Sequence, residues 1–355
     1  MQVNNMVVGV ERNFTKVENR LKEVRILGVI GMGGIGKTTL ANVIFHKLKS
    51  TYDASYFAKD LKNESDSLKF LCDMLTKFGK DRKNLPTNLV DAQNMLKQFM
   101  VGKKVLIILD DIRDQDQVDN LLHPDTLRDN AGITLILTTR HWDKIKDLVG
   151  ENGKIEVETL DQSAARELFI LHSCGSGGSL PVEFCDIGGR IVEACSGLPL
   201  SLGVLGAFLQ NRKRLRSWER ALQRMKRGRC LDGDKEEFED TKLWSTLKIS
   251  FDGLGRDERN MFLDVACFFC RDVWPRGMSI DRALHAWTSI DSPPIESFNM
   301  LLECSLVNVD EYGCIEMHDQ LRNMGRMIVE RDEEYLGTRV RSDDLIPSTQ
   351  CTTEV

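Results

Sequence analysis

At 355 residues the chain has room for two to three domains of ordinary size. Hydrophobic residues make up 41% and charged residues 29%, which excludes a disordered tail, a collagen-like repeat and a disulfide miniprotein. With 48 Lys and Arg against 54 Asp and Glu the net charge is −6, so no global basic footprint points to nucleic acid. The 10 cysteines are scattered, several inside apolar runs such as Val265-Ala266-Cys267-Phe268-Phe269-Cys270. They read as free thiols of a reducing compartment. The stretch Met1 to Asn5 is polar, and no run reaches the roughly 20 apolar residues of a membrane span. A protein of the cytoplasm or nucleus, without a membrane segment, is expected.

Residues 1–158 alternate short apolar runs with amphipathic stretches. Val24 to Ile30, Lys104 to Leu109 and Ile133 to Leu137 are predicted as strands buried on both faces, and Lys154 to Val157 as a last strand. Helices are predicted at Thr38 to Leu48 and Ser67 to Phe78. Such alternation argues for a parallel sheet with crossovers. Residues 159–235 carry no strand-like run. Asp161 is placed to cap a helix to His172, with Leu168 and Phe169 inward. The small residues Gly175 to Ser179 then precede a helix around Ile187 to Cys195. Pro199 fits the first turn of the next helix, lined by Leu198, Leu202, Leu205 and Leu209 on one side. Residues 236–335 open with an acidic stretch, Asp232 to Asp240, at their border. Phe262, Val265, Ala266 and Phe269 share a helical face, and helices follow at Ile280 to Trp287 and Ile295 to Leu302. Short strands at Ser305 to Val309 and Cys314 to Met317 flank the turn Asp310-Glu311-Tyr312-Gly313, before a helix from His318 to Val329. Leu321, Met324 and Ile328 are its predicted inner face. Helices followed by a small hairpin suggest a winged helix. Residues 336–355 are expected to be a disordered tail, and no internal repeat is visible.

Gly31-Met32-Gly33-Gly34-Ile35-Gly36-Lys37-Thr38 satisfies G-x-x-x-x-G-K-[ST] in every position, after an apolar strand and before an amphipathic helix. Glycines let the backbone curl so that its N–H groups face a phosphate at the helix N-terminus. Lys37 supplies a mobile charge for the β- and γ-phosphates, and the Thr38 hydroxyl a ligand for Mg²⁺. The strand Lys104 to Leu109 ends in Asp110 and Asp111, in the crevice where open α/β sheets bind ligands. Asp110 is the candidate metal carboxylate, and Asp111 the candidate for orienting an attacking water. Thr138-Thr139-Arg140 ends another buried strand, which makes Arg140 a candidate γ-phosphate sensor. The fold expected is an α/β P-loop NTPase parallel sheet, followed by a small helical domain and a winged-helix domain.

The ordered set resembles the NB-ARC nucleotide-binding module of plant intracellular NLR immune receptors, within the STAND class of signalling ATPases. It comprises Val8-Gly9-Val10-Glu11, the phosphate loop, Leu109-Asp110-Asp111, Thr138-Thr139-Arg140, Gly197-Leu198-Pro199-Leu200, Phe262 to Phe269 and Met317-His318-Asp319. The segment Phe262 to Phe269, and the lack of a tryptophan soon after Asp111, resemble the subclass with an N-terminal Toll/interleukin-1-receptor-like domain. That domain and the leucine-rich repeats of a full-length relative are not recognisable in this chain. The resemblance implies that Gly33, Gly34, Ile35, Gly36, Lys37, Thr38 and Thr39 cradle the phosphates of ADP or ATP. It also implies that Val8 and Gly9 contact the adenine, that Pro199 packs on base or sugar, and that His318 reaches the β-phosphate of ADP. A closed ADP state and an open, oligomerising ATP state are the behaviour it implies.

Two other features read as structural. Arg212 to Arg229 is strongly basic, but Trp218 and Leu222 give it an inner face, so a solvated helix is expected in place of an import signal or nucleic-acid patch. Cys267 and Cys270 have C-x-x-C spacing without a second pair, which favours core packing. The segment Pro293 to Ser305 holds no Lys or Arg, which argues against DNA binding by the winged helix. Two function classes remain: a slow regulatory switch, and a work-producing or DNA-loading ATPase of the AAA+ class. Asp111, where an efficient hydrolase often has glutamate, favours the switch.

Overall fold

Runs of consecutive aliphatic residues have no solvent face to offer, and the chain places three of them inside one sheet. A computed structural model describes residues 7–58, 67–227, 241–269, 277–287 and 294–331. Two units are resolved, Met1–Ala164 and Ala165–Val355. In chain order the first contains α1 (Glu11–Leu21), β1 (Ile26–Ile30), α2 (Lys37–Leu48), β2 (Ala54–Ala58), α3 (Ser67–Lys77) and α4 (Leu89–Met100). It continues with β3 (Val105–Leu109), α5 (Gln115–Leu121), α6 (Pro124–Asp129), β4 (Ile133–Thr139), α7 (Lys146–Val149) and β5 (Lys154–Glu156).

The five strands are parallel, in the order β2-β3-β4-β1-β5. Alternate residues of each strand point to opposite faces. Leu106 and Ile108 therefore join α1 and α2 residues such as Phe14, Leu40 and Ile44 in one core. Val105, Ile107 and Leu109 join Leu71, Met74 and Leu96 of α3 and α4 in the other. This is the P-loop NTPase sheet that the pattern predicts. The edge strand β2 was not predicted: Ala54-Ser55-Tyr56-Phe57-Ala58 is short and mixes small, polar and aromatic residues, so it lacks the aliphatic signature of its neighbours.

The second unit is helical. Its elements are α8 (Gln162–Cys174), which begins just before the boundary, α9 (Val182–Ala194), α10 (Pro199–Gln210), α11 (Leu215–Arg227) and α12 (Thr241–Asp252). α13 (Arg256–Asp264) runs into a π-helical turn, Val265–Phe269. α14 (Ile280–Ala286), α15 (Pro294–Glu303), the antiparallel hairpin β6 (Asn308–Val309) and β7 (Ile315–Glu316), and α16 (Asp319–Arg331) complete a winged helix. Asp161 caps α8 through the Ala164 N–H at 2.9 Å. Asp310 closes the hairpin by accepting from the N–H groups of Tyr312 and Cys314.

Several expectations are corrected. α10 does not present one leucine stripe, since Ser201 to Leu209 are all buried. Phe262, Val265, Ala266 and Phe269 are buried as expected, yet the last three lie on the π-helical turn and not on an α-helix. Leu168 and Ile328 are only half-buried. In α11, Trp218 and Leu222 do face inward. Cys270, Arg229, the acidic stretch 232–240 and the tail 336–355 lie outside the described residues. Among the described residues Cys72, Cys174, Cys185, Cys304 and Cys314 are free thiols, and burial pushes Cys304 further from ionisation.

α8 and α10 approach closely through two glycines. A Cβ at Gly206 would stand 2.9 Å from the His172 Cβ and 3.0 Å from the Phe169 carbonyl, and one at Gly203 3.4 Å from His172 Nε2. The imidazole is thus sealed against α10, and burial holds it below the ordinary histidine value of 6.5. The unfolded chain then binds a proton that the folded chain resists, so stability is lost as pH falls below about 6.5. Thermal unfolding of wild type is expected to drop more steeply between about pH 7.5 and 5.5 than that of His172→Gln. Parallel curves would exclude His172 as a source of acid sensitivity.

Candidate functional site

The loop Gly31 to Thr38 joins the end of β1 to α2 at the C-terminal edge of the sheet. Gly34 and Gly36 have φ of 77° and 98°, a left-handed backbone that side chains rarely adopt. Gly36 caps α2, and its carbonyl accepts the Leu40 N–H. Lys37 is the first helical residue and is only 8% exposed. Its ammonium donates to the carbonyls of Gly31 at 2.7 Å and Met32 at 2.8 Å. The charge therefore sits within the curl of its own loop.

Asp110 follows β3 and is 5% exposed. Its carboxylate accepts from the Thr38 hydroxyl at 2.8 and 3.1 Å, and from the Thr138 hydroxyl. Thr138 in turn accepts from the Asp111 N–H at 2.9 Å. Asp111 has φ of 57°, a conformation aspartate tolerates better than most residues. The neighbouring Thr139 hydroxyl donates to the Ile112 carbonyl at 2.6 Å and accepts from the His141 N–H at 3.0 Å. The two threonines thus tie the end of β4 to the chain leaving β3. Thr39 is exposed, and Arg140 is half-buried just past β4. Gly33, Gly34 and Ile35 are buried in the loop.

A hydroxyl and a carboxylate in hydrogen-bond contact are hard oxygen donors, the set that suits Mg²⁺. Among the described residues no group of three or more His, Cys, Asp and Glu side chains is placed to hold a metal. A cation here would therefore depend on Thr38, Asp110 and the oxygens of a bound phosphate.

Val8 and Gly9 precede α1. Gly9 has φ of 71°, and a Cβ there would lie 2.6 Å from Leu160 and 2.9 Å from Ala164. The register of this segment is fixed by Asn13, whose side chain donates to the Glu158 carbonyl at 3.3 Å and accepts from its N–H at 3.2 Å. Arg12 and Lys16 pair with the Glu158 carboxylate.

Residues 10–174 match the NB-ARC domain family. Residues 255–333 match the winged-helix domain of the family described as Disease resistance protein Roq1-like. The chain carries an NB-ARC domain and a Roq1-like winged-helix domain. It is 33% identical over 336 residues to TMV resistance protein N of Nicotiana glutinosa, covering 91% of this chain and 27% of that protein. It is 32% identical to Disease resistance protein RUN1 of Vitis rotundifolia, covering 91% of this chain and 23% of that protein. The chain thus spans about a quarter of the length of these relatives. A signal transduction ATPase (STAND) protein with a tetratricopeptide repeat sensor, from Pyrococcus horikoshii, shares the fold. The TM-score is 0.58 at 16% identity, over 94% of this chain and 44% of that one. The NB-ARC family implies nucleotide binding. No helix among the described residues is long and apolar enough to cross a membrane.

Pro199 and His318 belong to the second unit. Pro199 is the first residue of α10. His318 is exposed, and its Nδ1 accepts the Gln320 N–H at 3.1 Å. The histidine is therefore what caps α16. Asp319, the first residue of the helix, pairs with Arg322 inside the first turn. An imidazole that accepts at Nδ1 carries its proton on Nε2, so capping leaves an N–H donor on the far side of the ring.

The residue whose role the sequence reading did not single out is Thr138. Its signal was a polar residue ending a buried strand, which by itself does not say which neighbour it bonds. Thr138→Val keeps the volume but deprives both the Asp110 carboxylate and the Asp111 N–H of a partner. It should lower stability by about 1–3 kcal/mol in urea unfolding, with faster amide exchange at Asp111. Thr138→Ser should keep the Asp111 amide protected. Equal exchange in Val and Ser variants would mean that the hydroxyl does not hold this turn.

Proposed function

We propose that the chain is the ADP/ATP-binding switch of a plant NLR-type immune receptor, off with ADP and on with ATP, acting in defence signalling with slow ATP hydrolysis. The observation that carries this reading is the Lys37, Thr38 and Asp110 constellation in a chain that matches both an NB-ARC domain and a disease-resistance winged helix. In functional terms we divide it into a nucleotide-binding domain (1–158), a helical domain (159–235) and a winged-helix domain (236–335).

The backbone from Gly33 to Thr39 and the Lys37 ammonium bind the phosphates. Thr38 and Asp110 are the residues that would hold Mg²⁺, which when bound offsets phosphate charge. Val8 and Gly9 bind the adenine by backbone, and Pro199 packs on base or sugar. Arg140 is assigned to the γ-phosphate. Asp111 orients water, but its carboxyl is one methylene shorter than a glutamate's. Its backbone N–H is held by the Thr138 hydroxyl, and the shorter side chain favours slow turnover. His318 presents Nε2–H to the β-phosphate in the closed form. A contact made in one conformation and absent in the other is what lets a ligand bias the two. The ATP form is the one assigned to homo-oligomerisation. Leucine-rich-repeat and signalling domains are the partners assigned from the full-length relatives. Intracellular action, in cytoplasm or nucleus, accords with this reading.

The deciding measurement is the nucleotide released on denaturing the purified chain. About one equivalent of ADP is expected, and Lys37→Arg should abolish it, because a planar guanidinium does not replace a compact ammonium between phosphates. Empty wild-type protein turning over ATP at the roughly 1–100 s⁻¹ of kinases would instead favour the AAA+-like reading. Unchanged ADP in Lys37→Arg would remove the loop from the mechanism.

A hydrogen bond to a charged group contributes about 1.5–3 kcal/mol. His318→Ala should therefore speed ADP release about ten- to a hundredfold, since each 1.4 kcal/mol is tenfold. It should also expose the winged helix to protease while leaving Lys37-dependent binding intact. Release at the wild-type rate would make the histidine a helix cap and nothing more.

A further inference from the structure

α16 is seated on the π-helical turn by two consecutive residues. A Cβ at Gly325 would lie 2.5 Å from the Ala266 Cβ and 3.2 Å from the Phe262 ring, so any side chain there must push the helix outward. Arg326 donates from Nε to the Ala266 carbonyl at 3.1 Å. A π-helical turn departs from the regular i→i−4 ladder, which gives its carbonyls room to meet a partner outside their own helix. Leu321 and Met324 are buried along the same helix. Glycine is a poor helix former, and the close approach to Ala266 is the physical reason for one in mid-helix.

The helix links this seam to its own first turn. With a rise of about 1.5 Å per residue, Gly325 stands about 10 Å from His318, two turns along one rod. The His318 ring is bound to that rod through Nδ1 and the Gln320 N–H. A shift of α16 at Gly325 therefore moves the imidazole with it.

We infer that Gly325 and Arg326 are positioning residues for His318: the seating of α16 on the Val265–Phe269 turn sets how firmly the chain retains a nucleoside diphosphate. This rests on the reading of His318 as a phosphate ligand. The seam touches no ligand itself; it fixes where the donor stands. It also gives the Phe262 to Phe269 segment a task beyond filling a core.

The test is the release rate of a fluorescent N-methylanthraniloyl-ADP from the 355-residue chain. Gly325→Ala, Arg326→Gln, His318→Ala and the two double variants with His318→Ala are compared. Gly325→Ala should speed release about tenfold, although alanine's better helix propensity alone would tighten α16. Arg326→Gln removes one hydrogen bond without a clash and should speed release about two- to tenfold. It carries the test if Gly325→Ala fails to fold. Each double variant should release no faster than His318→Ala, because two changes acting through one contact do not add. Wild-type rates in both single variants, beside a fast His318→Ala, would overturn this inference and leave the His318 contact standing. Additive double variants would also overturn it, since the seam would then act by a separate route. A wild-type rate in His318→Ala would defeat the contact and the inference together.

Discussion

The first unit depends on one shared carboxylate. β1 and β3 are not neighbours in the sheet, because β4 lies between them. The loop after β1 and the acid after β3 must therefore be joined across a third strand. Asp110 does this by accepting from Thr38 on one side and from Thr138, on the intervening strand, on the other. A buried carboxylate is stable only when hydrogen-bonded, so the same bonds that satisfy Asp110 lock three strand ends together. The groups assigned to nucleotide binding and turnover in this unit branch from that junction. Thr38 opens α2 beside Lys37, and Thr138 holds Asp111.

Much of this was legible in the sequence because its physics is local. The runs at Ile26–Ile30 and Val105–Leu109 have no polar face and the one at Ile133–Leu137 has a single threonine, and a glycine-rich loop between strand and helix leaves little choice of geometry. What escaped is relational. Thr138 is one of two adjacent threonines, and nothing in the sequence says which bonds Asp110. β2 is called into the sheet by its neighbour β3 and not by its own composition. At α16 nothing in the sequence says which of the adjacent His318 and Asp319 caps the helix. The structure uses His318, because Asp319 is engaged with Arg322.

The second unit solves a different problem, packing helices closely against one another. α10 is buried over most of its length and meets α8 through Gly203 and Gly206, while Trp218 of α11 packs on Phe169 and Phe184. The same device, a helix glycine where two backbones must approach, recurs at Gly325 in the winged helix. At α16 the Arg326 bond to the Ala266 carbonyl is added to the fit, and between α8 and α10 shape complementarity sets the register. That is why leucine periodicity found the helices but misjudged how much of α10 is enclosed.

The strand order also dictates a sequence of events during synthesis. β1 pairs with β4 and β5, so Ile26 meets Leu135 roughly a hundred residues after it leaves the ribosome. Until then the phosphate loop is attached to a strand with no partner on either side. β2 and β3 are made between, and can pair with each other first. The nucleotide cradle is consequently among the last parts of this sheet to close, and a nascent chain cut short before β4 would carry the motif without the means to shape it.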